Sequence, residues 1–394
     1  MPKSPRRGRY EPERERIVFS GARATIRPPV APHHAVRLAP NIVILNKFRH
    51  RSDYPRGDSR PMMQARRVGE IRSIERVSVE LSAVMVAVIG EEPHVLAVSA
   101  GAGEVHALPS GPLESQHRTL ELGLRAWITE RAKQPVGYIE QLYTFGDRNR
   151  QQNDAPTAVR ALSIGYLALV PAASAIGELH GRWHSWYRYF PWEDWRTGEP
   201  KGLAEIRRVC SRWVATGGSK GERNARGTRV QGAFGAPDER WNEERVLERY
   251  ELLYEVGFVP EAQRARMETT RSDQVLSAGD AMLADHRRIL ATAISRLRGK
   301  IKYRPVIFEL MPPSFTLSQL QGTVEGLAGI RLHKPNFRRL VANQGLVEET
   351  GEQVSDTHGR PARLVRFRRE VMLERPGLAG RLPVVRHARA RRSR

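Results

Sequence analysis

Apolar and polar positions alternate from Val77 onward, where VSVELSAVMVAVIG and HVLAVSA are β-branched runs split by Gly-Glu-Glu-Pro, the grammar of a hairpin. Over Arg118–Lys133 the spacing becomes helical, with Leu120, Leu124 and Trp127 on one face; YIEQLYTF and ALSIGYLALV then return to strand texture. Strands, one helix and more strands predict an α+β domain. Further helices are predicted over Glu243–Glu255, ending at Gly257, and over Met282–Arg298, with Leu283, Leu290, Ile294 and Leu297 on one stripe.

The sharpest local grammar lies near the C-terminus. Pro305 opens the apolar run VIFELM and Pro312-Pro313 closes it, which predicts a short helix. Thr316 followed by Gln319 is a capping box for a second helix, with Leu317, Leu320, Val324 and Leu327 facing one way and Gly329 at C′. A third helix is predicted to take Pro335 as N1, to turn Phe337, Leu340 and Val341 inward and to stop at Gly345. LVEET, a polar turn and RPARLVRFRR then form a hairpin in which Val365 and Phe367 alternate with Arg366 and Arg368. Three helices and a hairpin predict a winged helix-turn-helix DNA-binding domain.

Charge sharpens this picture because it is unevenly spread. The 394 residues carry a net charge of +22: residues 1–75 hold +10, residues 276–375 hold +7 and the tail 376–394 holds +6, which leaves 76–275 at −1. A polyanionic partner is expected at the ends of the chain and not at its neutral centre. Residues 1–75, rich in Arg, Pro and His with one apolar patch at Asn41–Asn46, read as a basic, largely disordered extension, and Met62 and Met63 offer alternative starts. The tail 376–394 reads as basic and disordered. Between them the organisation is a domain over 76–280, with a Trp-rich insertion around 171–235 that ends in a mobile loop, TGGSKGERNARG, and then a linker helix with the winged domain over 281–375.

Candidate DNA contacts are Lys334, Asn336, Arg338 and Arg339 at the start of the third helix, where residues reach base edges in a major groove. Arg360, Arg363, Arg366 and Arg368 of the hairpin would meet phosphates or the minor groove. Cys210 is the only cysteine, which excludes an intrachain disulfide and fits a reducing cytoplasm, with association to the nucleoid. The most apolar stretches, Leu81–Gly90 and Ala161–Gly177, are too short or too broken to span a membrane, and the charged EPERER excludes a signal peptide at the N-terminus. His180 and His184 have the spacing of a helical zinc pair, but no helix, cysteine or Glu motif accompanies them, so no metal site is expected. TGGSKG lacks the glycine-to-lysine spacing of a P-loop.

The neutral domain holds a second pattern, which has the outline of a Nudix box. Gly111, Arg125, Trp127 and Glu130 match at the expected spacing, but His117, Ala126 and Thr129 replace three carboxylates and Ala132 replaces the final glycine. Pyrophosphate cleavage needs several carboxylates to hold divalent cations, so the box reads as catalytically degenerate.

Taken with EQLYTFGD at 140–147, ALSIGYLAL at 161–169, DHRRIL and RLRGK within 285–300, FELMPPSFTLSQLQ at 308–321, NFRRLV at 336–341 and GRPARLVRF at 359–367, the chain resembles the Nudix-related transcriptional regulators of NAD metabolism. WYRYFPWEDWRTGEP is similar to the branch that controls de novo NAD synthesis. The resemblance implies a Nudix-like α/β/α sandwich followed by the winged helix, in a homodimeric repressor that binds a palindromic operator on double-stranded DNA. It requires no cofactor and implies NAD, ADP-ribose or a related nucleotide as effector. Gln141, Phe145, Asp147 and Arg148 would then lie near the ligand. Two alternatives from other classes stay open: an active pyrophosphohydrolase using His117, Glu121 and Glu130 around a metal, and a structural interaction module.

Overall fold

The computed structural model describes residues 77–100, 105–132, 136–147, 160–171, 181–235, 241–265, 275–355 and 361–370. The extension 1–75, the tail 376–394, and Arg148, His180 and Arg360 lie outside the described residues. Strand β1 (Val77–Ile89) organises the first layer system. It pairs antiparallel with β2 (Glu92–Ser99) and β4 (Ser110–Pro112), and parallel with β6 (Arg160–Leu169). β5 (Tyr138–Phe145) closes one side beyond β6, while β3 (His106–Ala107) and β7 (Gly181–Ser185) flank β2. The Gly-Glu-Glu-Pro punctuation is the β1–β2 turn: Gly90 and Glu91 both have positive φ, 57° and 65°, as a tight two-residue hairpin turn requires.

Alternation along β1 builds two cores. Leu81, Ala83, Met85 and Ala87 face α1 (Leu120–Ala132) through its Leu124 and Ile128. Val84 and Val86 face the other way, onto α7 (His286–Ile301) and its Ile289, Leu290, Ile294 and Leu297. The result is an α/β/α sandwich. The helix expected to link two domains is thus an outer layer of the sheet, starting after Leu283, which stays exposed.

The Trp-rich segment contributes its aromatic cluster to the larger core. Trp186, Tyr189, Phe190 and Trp192 are buried in the larger core, and helices α2 (Leu203–Ala215), α3 (Lys220–Phe234) and α4 (Val246–Val256) pack with them. The expected mobile loop is mostly α3. Ser219 caps it by accepting from the Glu222 backbone N–H at 3.1 Å, and Glu222 accepts from the Gly218 N–H at 2.9 Å. These cap bonds offset the cost of Gly221 and Gly227 within the helix. Two short helices follow α4: α5 (Pro260–Ala265) and α6 (Val275–Ala278).

After α7 the apolar run at Val306–Leu310 folds as one 3-10 segment, not an α-helix. β8 (Phe315–Thr316), α8 (Leu317–Ala328), α9 (Lys334–Gln344), β9 (Val347–Val354) and β10 (Ala362–Phe367) complete the winged helix. Its small sheet has the order β8-β10-β9. The Thr316–Gln319 capping box forms, with both reciprocal bonds. Gly329 and Gly345 end α8 and α9 with φ of 72° and 59°, the left-handed caps their sequence predicts. α9 begins one residue before Pro335, and Leu340 is only half-buried.

α8 is seated on the sandwich through its glycines. A Cβ at Gly326 would lie 2.2 Å from the Glu91 carbonyl oxygen, and one at Gly322 would collide with the Glu91 carboxylate, so the β1–β2 turn rests directly on the helix. The terminal carbonyls of α8 are satisfied from outside the winged helix: the Tyr187 hydroxyl donates to Gly326 O at 2.5 Å and Arg298 Nε donates to Leu327 O at 2.8 Å.

Candidate nucleic-acid interface and sensor face

Phe337 and Val341 are buried and fix α9 to its domain, which leaves Lys334, Asn336, Arg338 and Arg339 exposed on the opposite side. Arg339 donates to Asn336 Oδ1 at 3.3 Å, so these two side chains form one polar edge along the first turns. Arg338 bears no ion pair among the described residues. Lys334, Asn336, Arg338 and Arg339 therefore present the donors and acceptors that base edges and phosphates take.

The wing is less freely basic than its sequence implies. Arg363 pairs with Glu349 at 2.8 Å and Arg366 pairs with Glu348 at 2.6 Å across the β9–β10 ladder. Arg368 turns inward and donates to Gly345 O at 3.2 Å, tying the end of α9 to the sheet. Phe367 stacks on Phe308 with centroids 4.1 Å apart, which anchors β10 to the 3-10 segment.

On the sandwich, the box residues take packing and bracing positions. Gly111 admits the indole of Trp127, since a Cβ there would stand 2.5 Å from its Nε1. The His117 ring lies over Gly123 and accepts from the Glu114 N–H at 3.2 Å. Arg125 pairs with Glu121 at 2.8 Å and donates to Val136 O at 3.0 Å, so it staples the end of the box segment to the helix. Ala126, Thr129 and Glu130 are exposed. Nine residues of helix put Glu121 and Glu130 roughly 13 Å apart along the axis, too far for one cation to share them. Among the described residues no group of three His, Cys, Asp or Glu side chains is placed to hold a metal, and the residues of the box do not fit one.

Of the described nucleotide-contact candidates, Gln141 lies apart from Phe145 and Asp147, which share Arg288. A β-bulge between Gln141 and Thr144 breaks the alternation of β5. Gln141 accepts from the Tyr166 hydroxyl at 3.2 Å on the α1 side, whereas Phe145 is buried on the α7 side. Asp147 is held by Arg288 at 2.7 Å. His184 lies on strand β7, with its ring 4.4 Å from that of His106. Burial and the neighbouring His106 and Arg188 push its pKa down to about 4.

The sequence reading missed a cleft of about 430 Å³ between β5, α4 and α7, lined by Tyr143, Glu248, Ser295, Arg296, Tyr303 and Arg304. Its signal was the helical spacing of Arg296, Lys300 and Arg304.

The chain thus combines an α/β/α sandwich with a helix-turn-helix that carries a wing. Residues 307–367 match the NrtR DNA-binding winged helix domain. Over 83 residues the chain is 43% identical to the ADPR responsive transcriptional repressor NtrR of Acinetobacter baylyi, a match spanning 21% of this chain and 33% of that relative. Among solved structures, NrtR of Shewanella oneidensis is 19% identical with a TM-score of 0.43, covering 74% of this chain and 95% of that one. The same protein complexed with a 27mer DNA is 19% identical with a TM-score of 0.42, covering 74% and 94%. No helix among the described residues is long and apolar enough to cross a membrane.

Proposed function

We propose that the protein is a nucleotide-responsive transcriptional repressor that binds DNA through α9 and the wing. The observation that carries this reading is the exposed edge of Lys334, Asn336, Arg338 and Arg339, in a module that matches the NrtR winged helix. The relative in Acinetobacter is described as ADPR responsive, and ADP-ribose or a related nucleotide is the effector proposed here. The genes under control are those of NAD biosynthesis. Two copies bind a palindromic operator, because recognition helices one DNA turn, about 34 Å, apart match its half-sites. The sandwich binds nucleotide without turnover, since no carboxylate set at the box can hold the cations that hydrolysis needs.

The test is a fluorescence-anisotropy titration of the protein against palindromic DNA from upstream of NAD-biosynthesis genes, with and without ADP-ribose, at several salt concentrations. Salt-sensitive binding that ADP-ribose alters is expected. Equal affinity for scrambled DNA, or no nucleotide effect, rejects the reading. Incubation with ADP-ribose and magnesium should yield no mononucleotides.

A further inference from the structure

We propose that the cleft between β5, α4 and α7 is the effector site, taking a nucleotide that carries at least two phosphates. This deepens the repressor reading and rests on it. The cleft's volume of about 430 Å³ falls within the range of small-molecule sites. Two phenol rings stand on it in contact with water: Tyr143 is 44% and Tyr303 is 54% exposed, and they are the two exposed Phe, Tyr or Trp side chains among the described residues. Arg296 on α7 and Arg304, three residues past the end of that helix, both line the cleft, and neither forms an ion pair among the described residues. Arg296 stands 5.7 Å from the Tyr143 ring centroid, with Nη2 3.5 Å from the phenol oxygen.

A third cation on the lining is already used. Lys300 donates to Glu140 at 2.6 Å and to the Tyr138 hydroxyl at 2.7 Å, so it is bound to β5. This leaves two guanidinium groups for anions, two rings for a base, and Ser295 and Glu248 to take ribose hydroxyls. Guanidinium matches phosphate in fork geometry, and aromatic faces stack any base. Glu244, also on the lining, is engaged by Lys302. A free dianion without a base would use only half of this lining.

The placement explains why a ligand here would be felt by the DNA reader. Arg304 immediately precedes Pro305 and the 3-10 segment that opens the winged helix, whereas Tyr143 belongs to the sheet. A nucleotide spanning them joins the sandwich to the start of the reader. It shifts DNA affinity only as far as it binds one arrangement of that joint better than another.

The experiment is calorimetric titration of ADP-ribose into the full chain, its Arg296→Gln/Arg304→Gln variant, Tyr303→Ser, and Arg208→Gln as a control at an exposed arginine of α2 away from the cleft. Unchanged melting temperature and unchanged DNA binding without nucleotide establish that the variants fold. The double Arg variant should weaken ADP-ribose by roughly tenfold or more and Tyr303→Ser by a few-fold, with Arg208→Gln unaffected, on the scale where each lost charge-assisted contact changes affinity about tenfold. Adenosine and inorganic pyrophosphate alone should each bind more weakly than ADP-ribose. Wild-type affinity in both the double Arg variant and Tyr303→Ser overturns the cleft and leaves the nucleotide-responsive reading standing. Failure of the wild-type chain to bind ADP-ribose, NAD or NMN overturns both.

Discussion

Glu193 accepts from Arg298 at 2.7 Å with both side chains sealed from water, joining the Trp-rich segment to the helix that leads into the winged domain. Arg249 of α4 closes on the same carboxylate at 2.5 and 2.8 Å, and its guanidinium lies 3.9 Å from the Trp241 ring centroid. One buried carboxylate thus bridges two buried arginines, with backbone carbonyls of Ala233, Asn242, Glu243 and Leu327 taking most remaining N–H groups. Removing one member of a buried pair costs about 3–5 kcal/mol because the partner's charge is left uncompensated. Glu193→Ala should therefore lower stability to urea by at least that range, and a double-mutant cycle with Arg298→Met should recover part of the loss.

At the reader, Arg338→Ala should weaken specific operator binding by about 1–3 kcal/mol without changing the melting temperature. Phe337→Ala should instead cost about 3–5 kcal/mol of stability, since it empties a buried site. Anisotropy and thermal melts separate the two. Loss of fold in the Arg338 variant contradicts its exposed position.

The wing makes a prediction of opposite sign. Glu348→Gln/Glu349→Gln should strengthen DNA binding, because Arg366 and Arg363 lose the carboxylates that now neutralise them. Each additional phosphate contact steepens the slope of log affinity against log salt by about 0.9. An unchanged slope would keep both arginines off the phosphates.

His286 provides a pH test. It is buried, its Nδ1 accepts from the Leu108 N–H at 2.9 Å, and burial pushes its pKa down to about 4. The unfolded chain, with a histidine pKa near the usual ~6.5, binds a proton first as pH falls. This contribution is fully present above about pH 6.5 and is lost as pH falls toward 4, about 3 kcal/mol in all. His286→Gln, which keeps an acceptor for Leu108, should flatten that part of the stability profile in urea melts.

The winged helix was legible because its signals are local. Thr316 and Gln319 are three residues apart, and the glycines that end α8 and α9 follow directly on their apolar stripes. The Glu193 hub was not legible, since its partners stand 56 and 105 residues away and tryptophan content alone does not separate a core from an insertion. Residues four apart on a regular strand share one face, yet the bulge in β5 sends Gln141 and Phe145 to opposite sides, and no residue of EQLYTFGD announces it. The α3 helix could have been found from Ser219-x-x-Glu222, whose capping grammar outweighs the glycines that follow.

Because Tyr187 and Arg298 complete the carbonyls at the end of α8, and the β1–β2 turn occupies the space its glycines leave open, the winged helix has no finished surface of its own on that side. Cut away from the sandwich, it would expose those carbonyls and an apolar seat together. Sandwich and winged helix are therefore expected to melt as one cooperative unit, and a fragment beginning near Pro305 to behave as a damaged half and not a spare part.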